Sequence, residues 1–78
     1  MKKIDIYLVE YFNENENCWE WGNVVRQSEY TEEYARISTF ADNHGVDFNS
    51  DTFTGEKEDI EYVKNNWEDN TRAWSLKV

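Results

Sequence analysis

The side chains able to do chemistry in this chain are one cysteine, Cys18, one histidine, His44, four serines and seventeen carboxylates. A nucleophilic site needs a hydroxyl or thiol beside a base that a third group orients. Ser28, Ser38, Ser50 and Ser75 have no such base: His44 stands alone, no acidic residue is patterned to orient it, and no nucleophile elbow is present. His44 reads instead as a partner for the C-terminal end of a helix dipole. Cysteine and histidine zinc clusters and glycine-rich phosphate loops are absent from the sequence. Cys18 reads as a small buried group on a strand, and a lone cysteine forms no internal disulfide. A paired-carboxylate hydrolase would need a cleft that 78 residues have little room to build. No catalytic residue and no cofactor are expected, and the chain reads as a non-enzyme.

The sharpest local pattern is Asp47-Phe48-Asn49-Ser50-Asp51, with Glu58 eleven positions after Asp47. It resembles the calcium loop of the EF-hand family, in which oxygen ligands at loop positions one, three, five and twelve surround the ion between two helices. The resemblance covers residues 47–58 and implies a calcium-binding module with Asp47, Asn49, Asp51 and Glu58 as ligands. Two departures oppose it. The sixth position, glycine in that family, is the β-branched Thr52, and Gly45 stops the preceding helix too early for an entering helix. A capped turn with solvated carboxylates fits the same residues, so no metal site is favoured and calcium binding stands as an alternative.

The charge is more specific than any motif. The chain carries net −9, and between Gln27 and Thr71 three basic residues (Arg36, Lys57, Lys64) face twelve acidic ones. The remaining charges, Lys2, Lys3, Arg26, Arg72 and Lys77 against Asp5, Glu10, Glu14, Glu16 and Glu20, cancel. The whole imbalance therefore lies in one half of the chain. Such a surface repels free nucleic acid and anionic membranes and attracts a basic protein groove at long range. No apolar run approaches the roughly 20 residues that span a bilayer, and Met1-Lys2-Lys3 leads straight into alternating residues, so a cytoplasmic protein is expected.

The elements that must position these groups begin with Ile4 to Val25, read as two strands around the polar turn Asn13 to Asn17. Ile4, Ile6, Leu8 and Phe12 fall on one face of the first strand and Tyr7, Val9 and Tyr11 on the other. In the second strand Trp19, Trp21 and Val25 share a face, opposite Cys18, Gly22 and Val24. Ser28 or Thr31 then caps a helix with Glu29, Glu32 and Glu33 in its first turn and an apolar stripe of Tyr30, Tyr34, Ile37 and Ala41 beside Phe40. Gly45 ends it. Val46 and Phe48 permit a short extended segment before the polar Ser50-Asp51-Thr52. A second helix is expected from Gly55 to Asp69, capped by Thr54, with Ile60, Val63 and Trp67 as its stripe and Tyr62 at the margin. Thr71 to Val78 closes the chain as a strand, with Trp74, Leu76 and Val78 on one face.

Residues 1–78 thus read as a single compact α+β domain: an antiparallel sheet of three to four strands, order ββα(β)αβ, with two amphipathic helices packed on one face. Thirteen aromatics are more than so short a chain hides, which leaves several of Tyr7, Tyr11, Trp19 and Trp21 on the opposite face for a partner or a homodimer. Carboxylates spaced along two helices can imitate a phosphate track and occupy a surface that otherwise holds DNA or RNA. In size, α+β organisation, acidity on 29–42 and 56–69 and aromatic content, the chain resembles the small acidic inhibitors that phages make against host defence systems, including anti-CRISPR proteins and other nucleic-acid mimics. The resemblance implies a host-cytoplasmic inhibitor bound to the basic surface of a nucleic-acid-handling complex, with no direct contact to nucleic acid. The expected contacts are Glu29, Glu32, Glu33, Glu56, Glu58, Glu61 and Glu68, with Tyr30 and Tyr62 as aromatic anchors; a homodimeric accessory subunit is the remaining alternative.

Overall fold

The computed structural model describes residues 5–77; Ile4 and Val78, which the sequence places on strands, lie outside them. The elements are β1 (Asp5–Asn13), β2 (Cys18–Arg26), α1 (Glu32–Asp42), β3 (Asp47–Asn49), β4 (Thr52–Thr54), α2 (Lys57–Asn66) and β5 (Thr71–Lys77). β1, β2 and β5 form an antiparallel sheet with β1 in the centre, and β3 and β4 form a separate hairpin. The fold is α+β in the expected order.

The front hairpin turns where its sequence loses β-formers. Asn13 Oδ1 accepts from the backbone N–H groups of Asn15 and Glu16 at 3.0 and 3.2 Å, and Asn17 takes a positive φ of 53°. Both are devices for which asparagine is suited. The two strands are not in simple register: Leu8 faces Val24 but Glu10 faces Trp21, so Gly22 and Asn23 together stand opposite Val9. This is a β-bulge, and one extra residue reverses which face each later side chain takes.

The bulge corrects the face assignment of β2. Trp19, Trp21, Val24 and Arg26 lie on one face, with Ile6, Leu8, Glu10 and Phe12 of β1 and Arg72, Trp74 and Leu76 of β5, while Val25 turns to the other. Tyr7, Val9 and Tyr11 point to that second, helix-covered side, where Val9 is buried and Tyr11 packs against the core. Tyr7 and Tyr11 are therefore not on the open face. Cys18 is exposed rather than buried, because it opens β2 opposite Asn13 at the sheet's end.

α1 lies on the covered side. Thr31 Oγ1 caps it by accepting from the N–H of Tyr34 at 3.1 Å. Glu29 and Tyr30 fall in the turn before it, so only Glu32 and Glu33 occupy the first turn. Ala35, Ile37, Thr39, Phe40 and Ala41 are its buried residues. The helix ends as expected at Gly45, which has φ +70° and lets the Val46 N–H return to the Ala41 carbonyl at 2.9 Å. α2 is shorter than its sequence pattern: Thr54 closes β4, Glu56 is the N-cap without a side-chain cap bond, and Trp67 is the C-cap. Residues 52–54, of which Thr52 was read as the end of the polar stretch and Thr54 as the cap of the second helix, pair with β3 across a two-residue turn whose members Ser50 and Asp51 have φ of 50° and 62°. That geometry matches the twist of the flanking strands.

The core joins the two helices. Phe40 and Ala41 of α1, Val63 of α2 and Val46, just before β3, are buried together, and Tyr11, Phe48, Phe53, Ile60, Tyr62 and Trp67 pack around them. Arg36 fastens the α2–β5 junction to α1. Its Nε donates to Thr71 Oγ1 at 2.9 Å, its Nη2 to the carbonyls of Glu68 and Thr71 at 2.6 and 3.1 Å, and its guanidinium lies 5.1 Å from the Trp67 ring centre.

Candidate functional site

Two surfaces stand out, one on each side of the sheet. The first is acidic. All twelve carboxylates between Gln27 and Thr71 are on exposed residues. Among the described residues the only ion pair is Arg72–Glu10 at 3.9 Å, on the opposite face, so no carboxylate of this set is paired with a cation of those residues. Of the basic residues within the same stretch, Arg36 is committed to backbone and threonine oxygens, and Lys64 lies over the Phe53 ring at 5.3 Å.

The expected contact residues divide into groups. Glu29, Tyr30 and Glu33 line a shallow cleft of about 240 Å³ with Asp51 of the small hairpin. Glu58 and Tyr62 line a second cleft of about 510 Å³, shared with Asp59, His44 and Glu14 of the front turn. Glu56 and Glu58 border a third hollow at the start of α2. Glu32 and Glu61 are exposed but line none of these, and Glu68 follows α2, where its carbonyl accepts from Arg36. Glu14, Asp51 and Asp59 were not among the expected contacts. Only the tertiary fold brings Glu14 near α2, whereas the helical position of Asp59 beside Glu58 was visible in the sequence.

The two tyrosines differ. Tyr30 is 43% exposed and stacks on Tyr34 with ring centres 4.7 Å apart. Tilted contacts carry on from Tyr34 to Phe48 at 5.1 Å and from Phe48 to Phe53 at 4.6 Å, so Tyr30 is the wet end of a chain of aromatic contacts. Tyr62 is half-buried against Phe40 and His44, and serves the core as much as the cleft. His44 donates from Nδ1 to the Phe40 carbonyl at 2.8 Å, and its ring lies tilted against that of Phe40 with centres 4.1 Å apart, in keeping with its place after α1.

Residues 47–58 do not form the calcium loop that the spacing suggested. Asp47 and Asn49 sit on β3, Asp51 in the tight turn, Thr52 on β4 and Glu58 on α2. A two-stranded hairpin replaces a loop wrapped around an ion, and among the described residues no group of three or more acidic, histidine or cysteine side chains could hold a metal.

Near the front hairpin the Tyr11 hydroxyl donates to Glu20 Oε2 at 2.8 Å. Donation to the carboxylate, helped by partial burial and the negative charge of Glu20, holds the Tyr11 phenol above its ordinary pKa.

The second surface is the open sheet face. Trp21, Val24, Trp74 and Leu76 are 64%, 60%, 47% and 42% exposed there. Trp19 and Trp21 were expected on it; Val24 was placed opposite, and Tyr7 and Tyr11 belong to the covered side. The Arg72 guanidinium lies 3.7 Å from the Trp19 ring centre, and Trp74 Nε1–H donates to Glu10 Oε1.

Fold and surfaces together define a small α+β protein with an acidic helical side and an apolar sheet side. Among the described residues no helix is long and apolar enough to cross a membrane. No family model, no curated protein and no solved structure matches the chain.

Proposed function

We propose that the protein is a non-enzymatic interaction protein whose acidic helical side occupies the basic nucleic-acid-binding surface of a protein complex, in the manner of small acidic phage inhibitors such as anti-CRISPR proteins. The observation that carries this reading is the exposure of all twelve acidic residues between Gln27 and Thr71, with no cation paired to any of them among the described residues. Unpaired carboxylates keep their attraction for an outside cationic surface, and a groove that has shed its own counterions for nucleic acid sheds the same ions for them. Charge of this kind acts mainly on the association rate, while Tyr30, held by its stack on Tyr34, supplies contact area that slows release.

The test is affinity capture from a host extract with a nuclease-treated control, followed by competition between this protein and nucleic acid for the captured partner. The expected partner binds either ligand but not both. Its association rate with this protein should fall at least about tenfold between roughly 50 and 500 mM salt. Replacing Glu29, Glu33, Glu58 and Glu61 by glutamine should lower the rate at low salt and flatten the salt dependence. A partner that holds nucleic acid and this protein simultaneously, or an association rate indifferent to salt, would refute the proposal.

A further inference from the structure

The open face of the sheet does not have the composition of a surface built for water. When one face of an antiparallel sheet is packed and the other is wet, its strands alternate apolar and polar residues. Here the covered positions include Tyr7, Val9, Tyr11, Val25 and Ala73, and the uncovered positions also carry Trp21, Val24, Trp74 and Leu76, each more than 40% exposed. The bulge at Gly22 and Asn23 gathers them, because without the extra residue Trp21 and Val24 would take opposite faces.

We infer that this face is covered by a second copy of the same chain, sheet against sheet, giving a helix–sheet–sheet–helix dimer. The inference rests on the apolar face alone and stands whether or not the acidic side has the role proposed above.

Area is the first argument. Those four residues alone expose roughly 400 Å², about half of the roughly 800 Å² per partner that a standard stable interface buries, before their half-buried neighbours on the face are counted. An apolar patch of this size matches the largest that a monomer ordinarily leaves open, and such patches are often functional.

The few charges on the face also suit a second copy better than a nucleic-acid strand. The face carries Arg26 and Arg72 against Glu10. Glu10 already sits 3.9 Å from Arg72 and accepts from Trp74, so little unpaired charge would be desolvated. Two arginines are too few to track the phosphates of a nucleic-acid strand, which needs a positive groove. Self-association through this face would leave the carboxylates of the two helices on the far side of each sheet, because α1 packs on β1, β2 and β5 from the covered side and α2 packs on α1. Sheets packed about 10 Å apart, each backed by a helix layer about 10 Å away, would hold the two acidic layers about 30 Å from each other, several Debye lengths at physiological salt.

Sedimentation of the full chain between about 1 and 100 µM tests the inference, since interfaces of this area span micromolar to tighter affinities. The expected species has twice the 9.4 kDa chain mass. Its mass should be indifferent to salt, unlike an association through the acidic side. Trp21→Glu and Val24→Glu lie at well-exposed positions and should leave far-UV circular dichroism unchanged. A twofold interface carries each substitution twice, so a loss of about 30-fold per position, the threshold of a hot spot, becomes about 1,000-fold per dimer for either variant. Leu76→Arg, on a different strand, should have the same effect, and Glu32→Gln with Glu61→Gln should have none. A chain that stays monomeric up to about 100 µM, or a dimer that survives both Val24→Glu and Leu76→Arg, would overturn the inference.

Discussion

Gly22 lies on β2 directly under Thr39 of α1, and Gly22→Ala is a sharp probe of that contact. A Cβ at residue 22 would lie 2.3 Å from Thr39 Cγ2, 3.2 Å from the Val9 carbonyl oxygen and 3.4 Å from Tyr11 Cδ1. Carbon atoms settle about 3.5–4.0 Å apart, so the Thr39 methyl must retreat by more than 1 Å. It has nowhere to go: Thr39 is fully buried, and its Oγ1 donates to the Ala35 carbonyl at 2.8 Å, which fixes the rotamer. Overpacking of this kind costs about 1–3 kcal/mol, offset by about 0.4–1 kcal/mol from the stiffer unfolded chain. The backbone of Gly22 is not among the positive-φ glycines, so alanine brings no left-handed strain. The net expectation is a loss of about 1–2 kcal/mol, or roughly 5–15 °C in Tm for a domain of this size.

Thr39→Ser isolates the cause, because it deletes Cγ2 and keeps the hydroxyl. Alone it should cost about 0.5–1.5 kcal/mol for one buried methyl group. Combined with Gly22→Ala it should cost no more than it does alone, because the clash is gone, giving a coupling of about 1–2 kcal/mol in a double-mutant cycle. Urea unfolding followed by tryptophan fluorescence measures all four proteins. A Gly22→Ala variant as stable as the parent, or additive effects in the double variant, would refute the packing of α1 over the bulge.

Arg36→Lys keeps the charge but loses the forked donation to Thr71 and Glu68, and should lower stability by about 1–3 kcal/mol in the same unfolding assay. Tyr11 should ionise above its ordinary pKa in an ultraviolet titration, and Glu20→Gln should bring it down. Because the folded pKa is the higher one, the stabilisation is complete below the unfolded value near 10 and is lost as pH rises through the folded value, so Tyr11→Phe should flatten the alkaline arm of the stability curve. Ser50→Asn with Asp51→Gly places the preferred pair in a turn whose residues both have positive φ, and should raise stability by about 0.5–1 kcal/mol in thermal unfolding. Gly45→Ala, at φ +70° with open space around the added carbon, should lower Tm through backbone strain of about 1 kcal/mol rather than through a clash.

Much of the fold was legible because its signals are local. The turn after Asn13, the stop at Gly45, the stripes of the two helices and the alternation of Trp74 with Leu76 are each written in a few neighbouring residues. The capping hydroxyl of Thr31 is equally local, needing only the N–H of Tyr34 three residues on. The ends of α2 were less legible, since polar residues at 55, 56, 68 and 69 can continue or end a helix and the competing contacts come from elsewhere. The pairing of Thr52–Thr54 with β3 was missed because Ser50 and Asp51 are less usual occupants of such a turn than asparagine and glycine.

The amino-acid sequence by itself determined the kinds of surface this protein owns: an excess of carboxylates confined to one stretch, and more aromatic bulk than one small core can use. The tertiary structure decided where those surfaces lie. A strand's alternation says which residues share a face only within an unbroken register, and a single extra residue opposite Val9 moved Val24 to the side of Trp21 and Val25 to the side of Tyr11. The grouping of Glu14 with Glu58, and of Glu29 with Asp51, likewise depends on contacts between segments far apart in the chain. Periodicity is a property of neighbours along the backbone, whereas face and proximity are set by the partner strand or helix, and that partner is chosen only when the chain folds.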